Sequence, residues 1–206
     1  YVLRHEHGSL VVNLGKTEGI LPPQEQIAGE YYYPGDRIRS YLLEVKKLPQ
    51  RVKVMLSRTH PNFIRKLFEL EVPEIDQGII TINNLVREPG YRTKIAVSSE
   101  DIKIDCVGAC IGVRGARIRN ILEETGGEKI DIIRWDTSPE ILISNALKPA
   151  EISRIVLEKE KKRARVFVTE SQQPLAIGKE GQNVRLASRL CKWEIDIVPE
   201  TEQALQ

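Results

Sequence analysis

The chain has 206 residues, which is enough for two or three small domains. Only 5% of them are aromatic while 41% are hydrophobic, a balance that favours several small α/β or β units over one large core. The 31 basic and 29 acidic residues leave a net charge of +2, so binding to a polyanion would rely on local geometry and not on bulk positive charge. No apolar run approaches the roughly 20 residues that span a membrane, and no signal-peptide pattern is present, so we expect a soluble, cytoplasmic protein.

The first 58 residues predict β structure. Strand patterns occupy residues 9–14, 37–45 and 51–57, and turns rich in Pro and Gly separate them. Short strands with frequent turns are typical of a small barrel. Four phrases in this stretch resemble the S1 domain, an OB-type RNA-binding barrel: residues 12–15, 19–22, 34–38 and 56–58.

The beginning of this segment departs from the S1 pattern, because the Gly-x-Val strand that normally opens an S1 domain is absent. The chain also lacks an initiator methionine, its only Met being Met55, and starts inside a strand-like run. We therefore expect residues 1–58 to form an N-terminally truncated barrel within a fragment of a longer protein.

Four tyrosines in the barrel could stack on RNA bases: Tyr31, Tyr32, Tyr33 and Tyr41. At least one ring of the triple should point outward. Packing is expected for most of them, because a tyrosine commonly buries its ring and leaves its hydroxyl in water. The sequence leaves direct RNA contact by the barrel open.

From residue 61 the apolar residues adopt a helical period. We predict a helix that begins at Pro61, with Thr59 as its N-cap. Two strands, two short helices separated by a glycine loop and a third strand should follow, which gives the order α-β-β-α-α-β. Their predicted bounds are 79–86, 92–97, a helix ending at 111, 116–124 and 129–135.

The same order repeats in the second half of the chain. The predicted elements are helix 139–147, strands 152–157 and 163–169, helices 174–177 and 182–190, and strand 193–198. The charged turn at 158–162 could alternatively belong to one basic helix. Residues 136–138 are too few for a flexible linker, so the two units should pack as one rigid body. We place these domains at 59–135 and 136–198, with a linker or tail at 199–206.

One phrase occurs twice, as Ile-Gly-Val-Arg-Gly at 111–115 and Ile-Gly-Lys-Glu-Gly at 177–181, which is 66 positions later. The flanks repeat as well, since Arg119 corresponds to Arg185. A repeated loop, helix and strand indicate that a whole module is duplicated.

The repeated loop has the chemistry of a phosphate-backbone clamp. Glycine permits unusual backbone angles and close approach of a sugar-phosphate strand, and the N-terminus of the following helix attracts anions. KH domains use a GxxG loop in this way to hold about four nucleotides of single-stranded RNA. The helix-first order resembles the type II KH fold, in which helices cover one face of a mixed three-stranded sheet. The predicted fold is therefore α+β and multidomain, an S1 barrel followed by two type II KH domains.

Both loops and the helices after them supply the predicted RNA contacts. Arg114 and Lys179 should meet phosphates directly. Glu180 would repel phosphate unless it faces solvent or caps the following helix. The complete predicted set is Ile111, Gly112, Val113, Arg114, Gly115, Arg117, Arg119, Ile177, Gly178, Lys179, Glu180, Gly181, Gln182, Asn183 and Arg185.

An apolar groove for bases should lie beside each loop. Ile111 and Ile177 are expected to line it, together with the strand residues Ile95 and Val166, although ordinary core packing fits the same pattern.

No catalytic, metal or cofactor site is predicted. Gly178-Lys179 is followed by glutamate and lacks the upstream glycine of a P-loop. Cys106 and Cys110 lie four apart, yet no further metal ligand is near them, so buried free thiols are expected.

Five longer phrases resemble the NusA family of bacterial transcription factors: residues 56–61, 68–75, 87–90, 107–110 and 175–183. The order S1, KH, KH agrees with that family. At position 106 this chain has Cys where the family usually has Pro, which leaves the start of the helix before the first loop open.

The resemblance implies a protein that binds nascent single-stranded RNA and RNA polymerase and modulates pausing, termination and antitermination. We expect it to be a monomer. The resemblance also implies a polymerase-binding domain before the first residue, and further elongation or antitermination factors as partners. Two alternatives are the RNA-binding portion of a processing exonuclease, where KH usually precedes S1, and a KH-based protein adaptor.

Overall fold

The computed structural model describes residues 1–200. Most of the predicted tail at 199–206 lies outside these residues, and its first two positions end the last strand.

Five strands form the N-terminal sheet in the order β1-β2-β3-β5-β4. Strands β3 and β5 pair in parallel, and the other neighbours are antiparallel. Six buried residues form the core: Val2, Leu10, Val12, Leu21, Val54 and Leu56. The bounds are β1 (Val2–Glu6), β2 (Ser9–Asn13), β3 (Glu18–Leu21), β4 (Tyr41–Lys47) and β5 (Val52–Ser57). This sheet fits the expected S1 barrel.

The predicted strand at 37–45 begins too early, since β4 starts at Tyr41. In the residues before β4, the carbonyl of Arg39 accepts a hydrogen bond of 2.6 Å from the guanidinium of Arg58 and not from a neighbouring strand. The short β3 was not predicted as a strand. Its Gly19 lies so close to Leu56 that an added Cβ would come within 2.7 Å of the leucine Cδ1.

The next unit, KH1, has the predicted α-β-β-α-α-β order with one extra short helix. Its sheet has the order β6-β7-β8, antiparallel and then parallel. The bounds are α1 (Pro61–Glu71), α2 (Pro73–Asp76), β6 (Thr81–Glu88), β7 (Arg92–Ser98), α3 (Cys106–Ile111), α4 (Ala116–Glu124) and β8 (Lys129–Arg134). Helix α3 therefore begins at the cysteine that replaces the usual proline.

The predicted N-cap of α1 is wrong. His60 is the N-cap, and its Nδ1 accepts from the backbone N–H of Asn62 at 3.0 Å. Proline at the first helical position fixes the residue before it as the cap. The Thr59 hydroxyl donates instead to Glu25, at 2.9 Å.

The last unit, KH2, repeats this architecture with the sheet order β9-β10-β11. Residues 159–162 form the turn of a hairpin, so the basic-helix alternative is wrong. The bounds are α5 (Pro139–Ala146), β9 (Arg154–Glu158), β10 (Arg163–Thr169), α6 (Gln173–Ile177), α7 (Gln182–Cys191) and β11 (Glu194–Glu200).

The hydrophobic core of KH2 extends onto the sheet of KH1, which also has a separate core of its own. Helices α5 and α7 cover the outer face of the KH1 sheet, where Ala96 and Ile133 pack into the same cluster as Leu186. Trp135 and Trp193 are partly buried and pack against this cluster. The two GxxG loops are therefore held on a single packed body.

Arg58 joins the barrel to KH1. Its side chain is 1% exposed and donates to both carboxylate oxygens of Glu30 at 2.8 Å. It also donates to the backbone carbonyl of Glu124, at the end of α4, at 2.9 Å. The guanidinium lies 4.8 Å from the ring centroid of Phe63, which shields the ion pair from water.

Candidate nucleic-acid interface

The two GxxG loops have the same backbone. Gly112 has φ 79° and ψ 172°, and Gly178 has φ 76° and ψ 172°. Two positions later, Arg114 and Glu180 are left-handed, with φ 53° and 54°. The duplication therefore preserves the loop geometry although the residues at its tip differ.

The first glycine of each loop is required by crowding as well as by its angles. An added Cβ at Gly112 would come within 2.8 Å of the Arg117 Cγ, and one at Gly178 within 2.7 Å of the Asn183 Cβ. This crowding comes from the helix that follows the loop and is not visible in the glycine pattern of the sequence.

The second glycine of each loop is needed for its left-handed backbone conformation, and the space around its Cα is open. Gly115 and Gly181 have φ 73° and 72° and are the N-caps of α4 and α7. An added Cβ at Gly115 would have no heavy atom closer than 3.8 Å. This open space is compatible with close approach of a sugar-phosphate strand, which stays a prediction.

An arginine supports each loop from behind. Arg119 donates to the carbonyl of Arg114 at 3.0 Å, and Arg185 donates to the carbonyl of Glu180 at the same distance. Both residues were predicted to reach RNA. Their bonds tie down the left-handed residue of each loop, so they hold the tip in place.

Arg185 also connects its loop to KH1. Its Nε and Nη2 donate to the two carboxylate oxygens of Glu88, at 2.5 and 3.0 Å. This hydrogen-bonded pair raises the pKa of Arg185. Glu88 ends strand β6, so the second loop is tied to the first KH unit.

Two predicted contacts occupy equivalent interior positions, five residues after the first glycine. Asn183 is completely buried, and its amide donates to the carbonyls of Leu147, Leu175 and Ala176. Arg117 is half-buried, pairs with Glu74, and donates to the carbonyl of Ala109. Asn183 cannot touch RNA from this position and supports the helix before its loop.

The loop tips are exposed and carry different charges. Val113 is 84% exposed, and Arg114, Lys179 and Glu180 are also exposed. Glu180 faces solvent and does not cap α7, which has no side-chain cap. Half-buried Gln182 begins α7 beside the tip.

The predicted groove residues divide into two groups. Ile111 is 38% exposed and Ile177 is half-buried, so both are at the surface beside their loops. Ile95 and Val166 are fully buried in the two cores, and their assignment to a base groove is wrong. Both side chains point into the core of their own unit, so neither can line a groove. The central strand of KH1, β7, is buried on both faces, whereas β10 of KH2 has an outer face with the exposed Arg165.

A groove of about 650 Å³ does run along the edge strand β8 of KH1. Val107 on α3 and residues 129–134 of β8 form one part of it, and Asn145 and Lys148 of KH2 form the other. Sequence reasoning missed these residues, because only the packing of KH2 against KH1 brings them to the groove.

A buried ion pair lies beneath this groove. Lys94 donates to Asp131 at 2.8 Å and to the carbonyl of Ala146 at 2.7 Å, and Arg92 donates to Asp131 at 2.7 Å. Burial lowers the pKa of Lys94 to about 8. Burial acts to raise the pKa of Asp131, but the attraction of Lys94 and Arg92 outweighs it and holds the pKa below its usual value.

The tyrosines of the barrel are more exposed than expected. Tyr31 and Tyr33 are 85% and 71% exposed. Tyr32 packs, with its ring centroid 5.4 Å from the Arg58 guanidinium, and Tyr41 stacks on His60 at 5.0 Å. The expectation that most rings pack is wrong for Tyr31 and Tyr33.

The three cysteines are free and buried, and burial raises the pKa of Cys110 and of Cys191 to about 12. Within residues 1–200, no group of three or more potential metal-ligating His, Cys, Asp or Glu side chains occurs. Over the same residues, no helix is both long and apolar enough to cross a membrane.

The fold and the paired loops define a class of protein, in which an S1-type barrel precedes two type II KH domains. The profile of the NusA-like first KH domain matches residues 58–135, and that of the NusA-like second KH domain matches residues 139–205. Together the two matches cover more than two thirds of the chain.

Several curated relatives are similar along nearly the whole chain. The transcription termination/antitermination protein NusA of Halalkalibacterium halodurans is 44% identical over 201 residues, covering 98% of this chain and 53% of its own length. The protein of the same name from Borreliella burgdorferi is 48% identical over 198 residues, covering 96% of this chain and 41% of its own length. That of Thermus thermophilus is 47% identical over 188 residues, with coverages of 91% and 49%. The chain belongs to the NusA family and spans about half the length of these relatives.

A solved structure titled "Crystal structure of APE1850" resembles part of the fold. It matches with a TM-score of 0.50 and 22% identity, covering 68% of this chain and 97% of that one. This likeness concerns the fold alone.

Proposed function

We propose that this chain binds one extended strand of single-stranded RNA through its two GxxG loops. The observation that carries the proposal is the equal backbone geometry of Gly112 and Gly178, which gives both loops the conformation of a phosphate-backbone clamp. The hydrophobic cluster that joins KH2 to the KH1 sheet supports it, because it packs the two units together. Two clamps of about four nucleotides correspond to a footprint of roughly eight or more.

In this proposal the residues at the loop tips contact the phosphates directly. Arg114 and Lys179 supply the positive charge, and the two glycines of each loop let the strand come close. Arg119 and Arg185 act from behind the loops. Tyr31 and Tyr33 extend the surface onto the barrel, where exposed rings can stack on bases.

The role in the cell follows from the family. The relatives are named as transcription termination/antitermination proteins, so we propose that this chain is the RNA-binding part of a factor that modulates pausing, termination and antitermination. RNA polymerase, reached mainly through another part of the longer protein, and further elongation factors are the proposed partners. We further propose that the protein is a monomer, that it acts in the cytoplasm, and that it works by binding and not by catalysis.

The direct test replaces Val113-Arg114 and Lys179-Glu180 by Asp-Asp, separately and together. Titration of a labelled single-stranded RNA of twelve or so nucleotides should show weaker binding in each variant and the weakest binding in the double variant. A circular dichroism melt controls for folding, since all four side chains project from exposed turns. Unchanged RNA affinity in a folded double variant would contradict the proposal that the two loops hold the RNA.

Salt dependence provides a second criterion. Wild-type affinity should fall as salt rises, because binding a phosphate releases counterions, and a protein adaptor would bind RNA weakly at every salt concentration.

A further inference from the structure

The groove along β8, which is also lined by α3 ahead of the first loop, has a wall that belongs to the second KH unit. The edge of β8 is its floor, and Val107 lies on the KH1 side. Asn145, Lys148 and Pro149, at the end of α5 and just beyond it, lie on the opposite side. An edge strand has unpaired backbone N–H and C=O groups that can bond to the edges of bases. This groove of KH1 is thus complete only when KH2 is docked.

Asn145 of this wall and the two buried residues that follow it are fixed by three different elements. Asn145 donates to the carbonyl of Arg134 in β8 at 3.2 Å. The carbonyl of Ala146 accepts from Lys94 in β7, at 2.7 Å, and the carbonyl of Leu147 accepts from Asn183 behind the second loop, at 3.0 Å. Residues 145–147 therefore form a rigid bridge between the KH1 groove and the KH2 clamp.

Lys148 follows directly on this bridge and is exposed. Within residues 1–200 its ammonium group has no ion-pair partner. The nearby positive charge of Arg134 is engaged with Asp105 at 3.2 Å, and Asp131 below is engaged by Lys94. Among the described residues, Lys148 is thus an unpaired cation on the groove wall, directly after the backbone that Asn183 holds behind the second loop.

Resting on the proposed function, we propose that Lys148 of KH2 completes the RNA site of KH1. It binds the phosphate of the nucleotide that leaves the first clamp on its way to the second. The rigid anchoring of residues 145–147 lowers the entropy cost of this contact, because the backbone of the lysine is already placed. The first clamp consequently depends on a residue of the second domain.

The test is a mutant cycle in the whole chain, with a labelled single-stranded RNA as the probe. Lys148→Gln is introduced into the wild type and into each of the two Asp-Asp loop variants. In the wild type and in the variant at 179–180, Lys148→Gln should weaken RNA binding by the same several-fold factor. It should also reduce the slope of log affinity against log salt concentration by about one. In the variant at 113–114 it should have no further effect, because the site to which it belongs is already lost.

Lys159→Gln is the matched control, since Lys159 is also an exposed lysine of KH2 without an ion-pair partner among residues 1–200. It should leave affinity unchanged. The proposal is overturned if Lys148→Gln has no effect while the loop variants do weaken binding. It is also overturned if the effect persists in the variant at 113–114 and vanishes in the variant at 179–180, which would assign Lys148 to the KH2 clamp. If neither loop variant weakens RNA binding, the proposed function is contradicted, and the proposal for Lys148, which rests on it, is contradicted as well.

Discussion

The two KH units contain the same ion pair in two different surroundings. In KH1, Arg92 donates to Asp131 at 2.7 Å, and in KH2, Arg163 donates to Asp196 at 2.7 Å, at equivalent positions of the central and third strands. The first pair is buried beneath α5, and the second is open to solvent on the outer face of its sheet. The duplicated units therefore keep the geometry of this ion pair, whereas its contribution to stability depends on how far the neighbouring elements bury it.

The two loops show the same separation between geometry and surroundings. Their backbones agree, yet Arg114 occupies the left-handed position in one and Glu180 in the other. Behind the first glycine lies half-buried Arg117 in KH1 and fully buried Asn183 in KH2. We therefore expect substitutions at matched positions to have unequal effects, and we rank these from the largest to the smallest.

The largest difference should separate Asp131→Ala from Asp196→Ala. Asp131→Ala leaves Lys94 and Arg92 buried without their carboxylate, which should lower the free energy of unfolding by about 3–5 kcal/mol. The solvent-exposed Asp196 serves as the control, and its replacement should be close to neutral. Chemical denaturation of the two variants gives the comparison, and equal losses would contradict it.

The same carboxylate predicts a dependence on pH. Because the pKa of Asp131 is lowered below its ordinary value of 3.8, its stabilising contribution is present above that value and is lost as the pH falls through the folded-state pKa. The stability difference between wild type and Asp131→Ala should therefore shrink as the pH is lowered from about 5 toward 2. Denaturation curves across this range measure it, and a constant difference would disprove the assignment.

Asn183→Ala should be more destabilising than Arg117→Ala. The asparagine satisfies three carbonyls in the interior, and leaving them unpaired should cost at least about 2 kcal/mol. Arg117 is half-buried, so water can replace it at the carbonyl of Ala109, and about 1 kcal/mol is expected. Thermal unfolding distinguishes these values, and the reverse order would refute the structural role of Asn183.

The single loop variants should weaken RNA binding unequally. Replacing Val113-Arg114 by Asp-Asp changes the tip from net positive to doubly negative, whereas the same change at Lys179-Glu180 starts from a neutral tip. The KH1 variant should therefore lose more affinity and more of the salt slope. Equal losses in an RNA titration would mean that charge at the tips is not decisive.

The smallest effect distinguishes a positioning arginine from a phosphate contact. Glu88→Gln removes the partner of Arg185 and keeps the arginine itself. If Arg185 holds the loop, Glu88→Gln and Arg185→Gln should reduce affinity by similar small factors, without further loss in the double variant and without a change in salt slope.

Arg119→Gln is the matched control in KH1, where Arg119 supports its loop without an acidic partner among residues 1–200. A direct contact by Arg185 would give the opposite pattern: Glu88→Gln would leave or improve affinity, and Arg185→Gln would lower the salt slope by about one.

The sequence predicted the fold well where local signals are strong. Helix α4 and strand β10 have their predicted bounds, because glycines stop the helix and a charged turn precedes the strand. The motif also located both loops. The start of β4 was misplaced, because a hydrogen bond from Arg58, 19 residues away, occupies the carbonyl of Arg39.

Roles within the site were harder to predict than its location. Asn183 resembles a surface residue in sequence, and only the packing of α7 against three carbonyls shows that it is buried. Arg185 pairs with a residue 97 positions away. Two sequence alignments could have indicated these roles. Arg185 aligns with Arg119, and Asn183 aligns with Arg117 at the position five residues after the first glycine. The exposure of Tyr31 and Tyr33 depends on a barrel loop without a regular period.

The most direct test of one strand held by both loops is the dependence of affinity on RNA length. Single-stranded RNAs of four, eight and twelve nucleotides are titrated against the wild type and against each single loop variant. We predict a large gain for the wild type from four to eight or more nucleotides, because the second clamp then binds at high effective concentration, and little gain for either variant. Equal length dependence in the wild type and the variants would contradict the account.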